Sequence, residues 1–182
     1  MTKTFCRFFT IADYEDEEVW LREQANKGYR LVKTIIPCFY VFEECEPEDV
    51  IYRLDFKNNT QTPDYMRMLE DYGWEYCGEC MGWLYFRKPY SALENVDDGE
   101  LFSDNLSRVE MAQRVVKTRL VPICIIFFCC LLPNLLIWTR HMHASPLNRV
   151  FGTIFSALFI LYVYLITYCG IKLKKIRDKY KD

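Results

Sequence analysis

Leu21-Arg22-Glu23-Gln24-Ala25-Asn26-Lys27-Gly28-Tyr29 is answered forty-five positions later (21 to 66, 28 to 73) by Met66-Arg67-Met68-Leu69-Glu70-Asp71-Tyr72-Gly73-Trp74. Each stretch reads as the last turns of a helix closed by a glycine. The position just past a helix takes a left-handed backbone that costs little only without a Cβ. Tyr40 and Tyr85 fall at the same offset. Residues 1–90 therefore read as an internal duplication of a strand–helix–strand–strand unit.

The flanking residues fill in each copy. Thr4–Thr10 is the opening strand, and Asp13 suits a helix N-cap, with acids through Glu18 favoured by the helix dipole. Tyr29–Ile35 and Phe39–Glu44 predict a hairpin that turns near Pro37. In the second copy Val50–Phe56 is the strand, and Thr62-Pro63 reads as an N-cap followed by proline at the first helical position. Trp74–Cys80 and Trp83–Arg87 form the second hairpin, with Trp74/Tyr76 and Trp83/Tyr85 alternating at a period of two. The expected fold is α+β, a mostly antiparallel sheet with two helices on one face.

Charge divides the chain at the end of this region. Residues 1–104 hold 22 acids and 11 bases, a net of −11; residues 105–182 hold 3 acids and 12 bases, a net of +9. Residues 91–104 read as an acidic, solvated linker. Residues 105–119 read as a basic juxtamembrane helix, capped by Ser103, whose Arg108, Arg114 and Lys117 would meet anionic headgroups. Two apolar runs follow, residues 120–138 and 150–171, each near the roughly 20 residues a helix needs to cross a bilayer's hydrocarbon core. A two-helix transmembrane hairpin is expected, with an external loop at 139–149 and a basic tail at 172–182. Arg119, Lys172, Lys174 and Lys175 crowd the outer ends of the pair, while the loop carries only Arg140 and Arg149. By the positive-inside rule both termini lie in the cytoplasm of a multi-pass protein of the cell membrane. Trp138 and Tyr168 are placed as interfacial anchors. Pro122 and Pro133 permit kinks, and Asn134 either bonds Ser156, Thr167 or another chain, or sits as a single tolerated amide.

The chemistry on offer is sparse. Residues 1–90 contain no histidine, which removes the commonest general base. No glycine-rich phosphate loop is present, and the acidic balance disfavours nucleic acid. Cys77-Gly-Glu-Cys80 is the one CxxC, a weak redox or metal alternative without a second pair. His141 and His143 are too few for a metal site. Nine cysteines, irregularly spaced, with no apolar signal segment at Met1–Arg7, read as reduced cytosolic thiols outside the apolar runs. No catalytic residue, cofactor or metal is expected. The aromatic strand residues suggest a protein-binding sheet face instead: Tyr40, Arg53, Trp74, Tyr76, Trp83, Tyr85 and Arg87.

Tyr52-Arg-Leu-Asp-Phe56, Leu69-Glu-Asp-Tyr-Gly-Trp-Glu-Tyr76 and Gly82-Trp-Leu-Tyr-Phe-Arg-Lys-Pro89, with Trp20-Leu21 and Gly28-Tyr29-Arg30-Leu31 before them, resemble the domain-of-unknown-function 2812 family. Its members are bacterial membrane proteins, often encoded beside PadR-type repressors. The resemblance spans about residues 5–89 and implies trailing membrane helices but no known activity. The resulting expectation is a non-enzymatic cytoplasmic interaction or sensing module, regulatory in role. It is tethered to the bilayer and binds a cytoplasmic or membrane protein partner. The alternatives are an accessory subunit of a transporter or envelope complex, and a thiol site at Cys77 and Cys80.

Overall fold

The computed structural model describes residues 1–56, 63–93, 95–101, 105–141 and 146–179. The expected caps at Thr62 and Ser103, the His143 ligand candidate and Lys181 lie outside them, as does the His141 side chain. The chain divides into two compact units, Met1–Arg114 and Val115–Tyr180.

Unit 1 is α+β and carries the duplication. The first copy runs β1 (Thr2–Cys6), α1 (Tyr14–Asn26), β2 (Tyr29–Ile35), β3 (Phe39–Glu44). The second runs β4 (Val50–Phe56), α2 (Pro63–Asp71), β5 (Glu75–Cys80), β6 (Trp83–Pro89). Each copy makes its own three-stranded antiparallel sheet, β1-β3-β2 and β4-β6-β5. The single sheet expected from the sequence is thus two sheets, which meet where β2 lies beside β5. Gly28 and Gly73 both close their helices at positive φ, +83° and +80°. At Gly28 a Cβ would also lie 2.7 Å from the Cys45 carbonyl oxygen, so the site excludes any other residue twice over.

The duplication extends to an irregularity. β2 slips against β3 between Leu31 and Lys33, and β5 slips against β6 between Tyr76 and Gly78, forty-five positions on in each case. The turns differ. Ile36-Pro37-Cys38, with a cis Ile36–Pro37 peptide, joins the first hairpin; Met81-Gly82 joins the second, both residues at positive φ as a two-residue primed turn requires. One residue fewer in the second turn shifts β6 by one. Thr34 pairs with Tyr40, while Glu79 pairs with Leu84. Tyr40 is therefore level with Leu84, and Tyr85 points to the other face, because a one-residue slip inverts every side chain on a strand. The match of Tyr40 with Tyr85 holds in the sequence and not in the ladder.

That inversion organises the core. Leu84 and Phe86 pack with Ile51, Leu69 and Trp74 on the α2 side. Trp83 and Tyr85 turn instead toward α1, where Tyr14 stacks on Trp83 with ring centroids 5.2 Å apart. On its other side α1 meets the first sheet, with Trp20 edge-on to Tyr40 and Phe42 at 4.9 and 5.7 Å. The first helix is held between both copies. This is why every residue of β6 from Trp83 to Lys88 is buried.

Unit 1 also reaches beyond residue 90. Leu93 and Leu101 pack on the second core cluster, and Gly99 is buried. Within the stretch expected to be a solvated linker, these three residues pack down, while Ser91, Ala92 and Asn95 are exposed. The following helix, α3 (Asn105–Val115), ties in as well. Arg108 pairs with Glu100 at 2.6 Å, and Arg114 donates to the Phe56 carbonyl at 3.2 Å. Both arginines, expected at a headgroup layer, are engaged with unit 1.

Unit 2 is a helical hairpin. From α3 the chain stays helical through a π turn (Val116–Leu120), α4 (Val121–Ile126), a second π turn (Phe127–Leu131) and α5 (Leu132–His141); α6 (Pro146–Lys179) returns. Each π turn is centred four residues before a proline, on Thr118 for Pro122 and on Cys129 for Pro133. That is the carbonyl a helical proline can neither donate to nor clear, and the wider turn accommodates it. The prolines expected to permit kinks in the first span are each accompanied by one of these wider turns. Asn134 donates to the Cys130 carbonyl of its own helix at 2.7 Å, and Ser156 and Thr167 likewise bond within α6. The two helices meet through rings: Trp138 against Phe151 and Phe155, Phe127 against Phe159 and Tyr162.

Candidate functional site

The most unusual chemistry in unit 1 lies on α1, where the sequence places consecutive acids on a helix that both sheets cover. Glu17 is 6% exposed. One of its oxygens, Oε1, accepts the hydroxyls of Tyr40 from β3 at 2.8 Å and Tyr85 from β6 at 2.7 Å. One carboxyl group thereby joins the central strands of both copies. Burial raises its pKa above the ordinary carboxylate value, and the nearby Asp13 adds to that, against the pull of the two phenols. Both tyrosines are pushed up in turn, chiefly by burial and then by Glu17, so they stay protonated and act as donors. Asp13 spends its carboxylate on the Thr10 amide and hydroxyl, at 2.8 and 2.6 Å, not on a helix amide as the expected N-cap would.

Glu18 faces β4. It accepts the Leu54 amide at 2.8 Å, satisfying a backbone donor on the open edge of the second sheet. Arg53 stands 3.4 Å from it but gives its better contacts to Glu100, at 3.1 and 3.2 Å. Burial therefore wins over the Arg53 charge, and the Glu18 carboxyl is pushed up to about 8 from an ordinary 4.5. Between those values the folded chain holds a proton that the unfolded chain releases. The group's contribution to stability is complete below pH 4.5 and is lost as pH rises through 8, and the raised Glu17 acts in the same direction. Thermal unfolding of the full chain should show Tm falling from about pH 6 to about pH 8.5, and Glu18→Gln should flatten that fall.

A second polar cluster lies across the strands of the second sheet. Arg87, 7% exposed, donates to Glu75 at 2.9 and 2.6 Å. Burial pushes the neighbouring Cys77 thiol up to about 12, and the Tyr52 hydroxyl to about 12 as well. A thiol held that far up is a poor nucleophile and a poor metal ligand. Cys77 and Cys80 sit on strand β5 with Gly78 between them, not at a helix start, so the thiol alternative draws no support from their setting. Among the described residues no three His, Cys, Asp or Glu side chains group as metal ligands do.

The seven residues read as a binding face divide by burial. Tyr40, Trp74, Trp83, Tyr85 and Arg87 are buried within the unit, Arg53 is half-buried in its ion pairs, and Tyr76 is exposed. Trp83 and Tyr85 turn inward because α1 covers the face of β6 that the one-faced arrangement left open, while Trp74 is buried on the α2 side. Sequence reasoning placed Glu17 and Glu18 only as helix-dipole acids. Their burial left no local signal: both lie in the N-terminal half of α1, and it is the packing of both sheets on that helix that buries them.

Of the residues placed at the membrane, Lys174 and Lys175 are exposed, and Lys172 lies with its ammonium 5.9 Å from the Tyr168 ring. Two helices, Ser107–Trp138 and Pro146–Lys179, are long and apolar enough to cross a membrane, and only 6% of the most apolar stretch of each is buried.

No curated protein and no solved structure matches the chain significantly. Residues 13–125 match the family described as Protein of unknown function (DUF2812), which takes in the shared helix α1, both hairpins and the start of the first long apolar helix. The chain belongs to that family.

Proposed function

We propose that the protein is a membrane-tethered, non-enzymatic interaction or sensing module, with unit 1 in the cytoplasm and unit 2 spanning the cell membrane. The observation that carries this reading is the pair of long apolar helices, of whose most apolar stretches only 6% is buried. A soluble protein does not leave two such surfaces in water. The flanking bases support both termini inside and the 139–149 loop outside. The polar residues of unit 1 favour a non-enzymatic role. Glu17 is engaged with Tyr40 and Tyr85, Glu18 with the Leu54 amide, and Arg87 with Glu75, and a carboxyl locked between two phenols has no room to act on a substrate. A partner would meet unit 1 on its outer surface, where Tyr76 is the one exposed member of the aromatic set.

Single-cysteine labelling in intact cells tests the topology. Take a variant without native cysteines and restore one thiol at a time. A thiol at residue 145 should react with a membrane-impermeant maleimide, while thiols at residues 3 and 179 should react only after permeabilisation. Labelling of residue 3 in intact cells, or release of the protein from membranes by alkaline carbonate, would overturn the reading.

A further inference from the structure

Cys6 and Cys38 stand apart from the other seven thiols. Their Sγ atoms are 3.1 Å apart although the residues are 32 positions apart in sequence. Cys6 ends β1, an edge strand; Cys38 ends the turn before β3, the central strand. The backbone fixes both. Cys6 pairs with Phe39 in the ladder, and the Arg7 amide donates to the Cys38 carbonyl at 2.8 Å. Cys6 is exposed and Cys38 half-buried. A disulfide needs its sulfurs at about 2.05 Å, so the sulfurs have about 1 Å left to close. No other cysteine pair among the described residues is in sulfur contact.

We propose that Cys6 and Cys38 form a reversible dithiol–disulfide site, oxidised by low-molecular-weight disulfides of the oxidised-glutathione class. The exposed Cys6 thiolate attacks one sulfur of the incoming disulfide. A Cys6–S bond forms, the incoming S–S bond breaks, and one thiol leaves carrying a proton from solvent. Cys38 then loses its proton to solvent and attacks the Cys6 sulfur, expelling the second thiol. The two cysteines are oxidised by two electrons, and one external disulfide is reduced to two thiols. Cys6 is the exposed member of the pair and so the attacking sulfur, with the half-buried Cys38 resolving; contact with Cys6 raises the Cys38 thiol pKa, in keeping with that order. The bond would close a loop that contains all of α1 and tie the edge strand β1 to the hairpin tip.

Purified full-length protein in detergent is incubated with oxidised glutathione, alkylated, and digested without reductant for mass spectrometry. Cys45→Ser is carried throughout, so that the peptide bearing Cys38 holds one thiol. The expected product links Thr4–Arg7 to the Cys38 peptide with loss of two hydrogens. It forms before any other cross-link and disappears on adding dithiothreitol. Cys6→Ser should leave Cys38 alkylated or singly glutathionylated. Recovery of both cysteines alkylated after the other exposed thiols have reacted, or each carrying its own glutathione, would overturn the proposal.

Discussion

Glu17→Ala is expected to destabilise unit 1 by about 3 kcal/mol, whereas Glu17→Gln should cost less than about 1 kcal/mol. Alanine leaves the Tyr40 and Tyr85 hydroxyls buried with nothing to donate to, since both now end on the same oxygen at 2.8 and 2.7 Å. Each stranded hydroxyl costs roughly 1–3 kcal/mol, and the space vacated by the carboxyl adds to it. Glutamine keeps an oxygen where both phenols need one. It also removes a charge that burial already disfavours, so it should be tolerated best at high pH, where the raised carboxyl would otherwise ionise. Chemical denaturation of the full chain in detergent, followed by near-ultraviolet circular dichroism, separates the two variants.

Trp83→Ala should be the most damaging single truncation in the second hairpin, about 4 kcal/mol, against the roughly 5–15 kcal/mol that holds a domain together. Trp83 is 8% exposed. Its ring stacks on Tyr14 at 5.2 Å and meets Phe56 edge-on at 5.1 Å, so it bridges the first copy's helix and the second copy's opening strand. A cavity there has three elements around it, and none can close it without breaking another contact. A ring that served only a partner would leave folding untouched when removed. Loss of the cooperative transition would mark Trp83 as part of the interior.

Much of unit 1 was legible in the sequence for specific reasons. Gly28 and Gly73 ended both helices, and Tyr29–Ile35, Phe39–Glu44 and Val50–Phe56 appear as strands with those bounds. Short-range signals of this kind act within a few residues and survive folding. What sequence could not show depended on one residue of turn length. Met81-Gly82 is shorter than Ile36-Pro37-Cys38, and that difference turned Trp83 and Tyr85 over onto α1. Period-two alternation says which residues share a face, never which face is covered. The opening strand was placed at Thr4–Thr10 and runs Thr2–Cys6, since Phe9 leaves the sheet to pack on Trp20 and Tyr40. The packing of Leu93 and Leu101 was hidden for a similar reason: net charge dominated a stretch whose few apolar residues decide its place.

α1 belongs to both copies, and the Glu17 carboxyl joins their central strands. Amide hydrogen exchange on the full chain tests it most directly, comparing wild type with Glu17→Ala. The expected result is an equal loss of protection in β3 and β6, the strands that carry Tyr40 and Tyr85. Loss confined to the first copy, with β6 protected as in wild type, would contradict it.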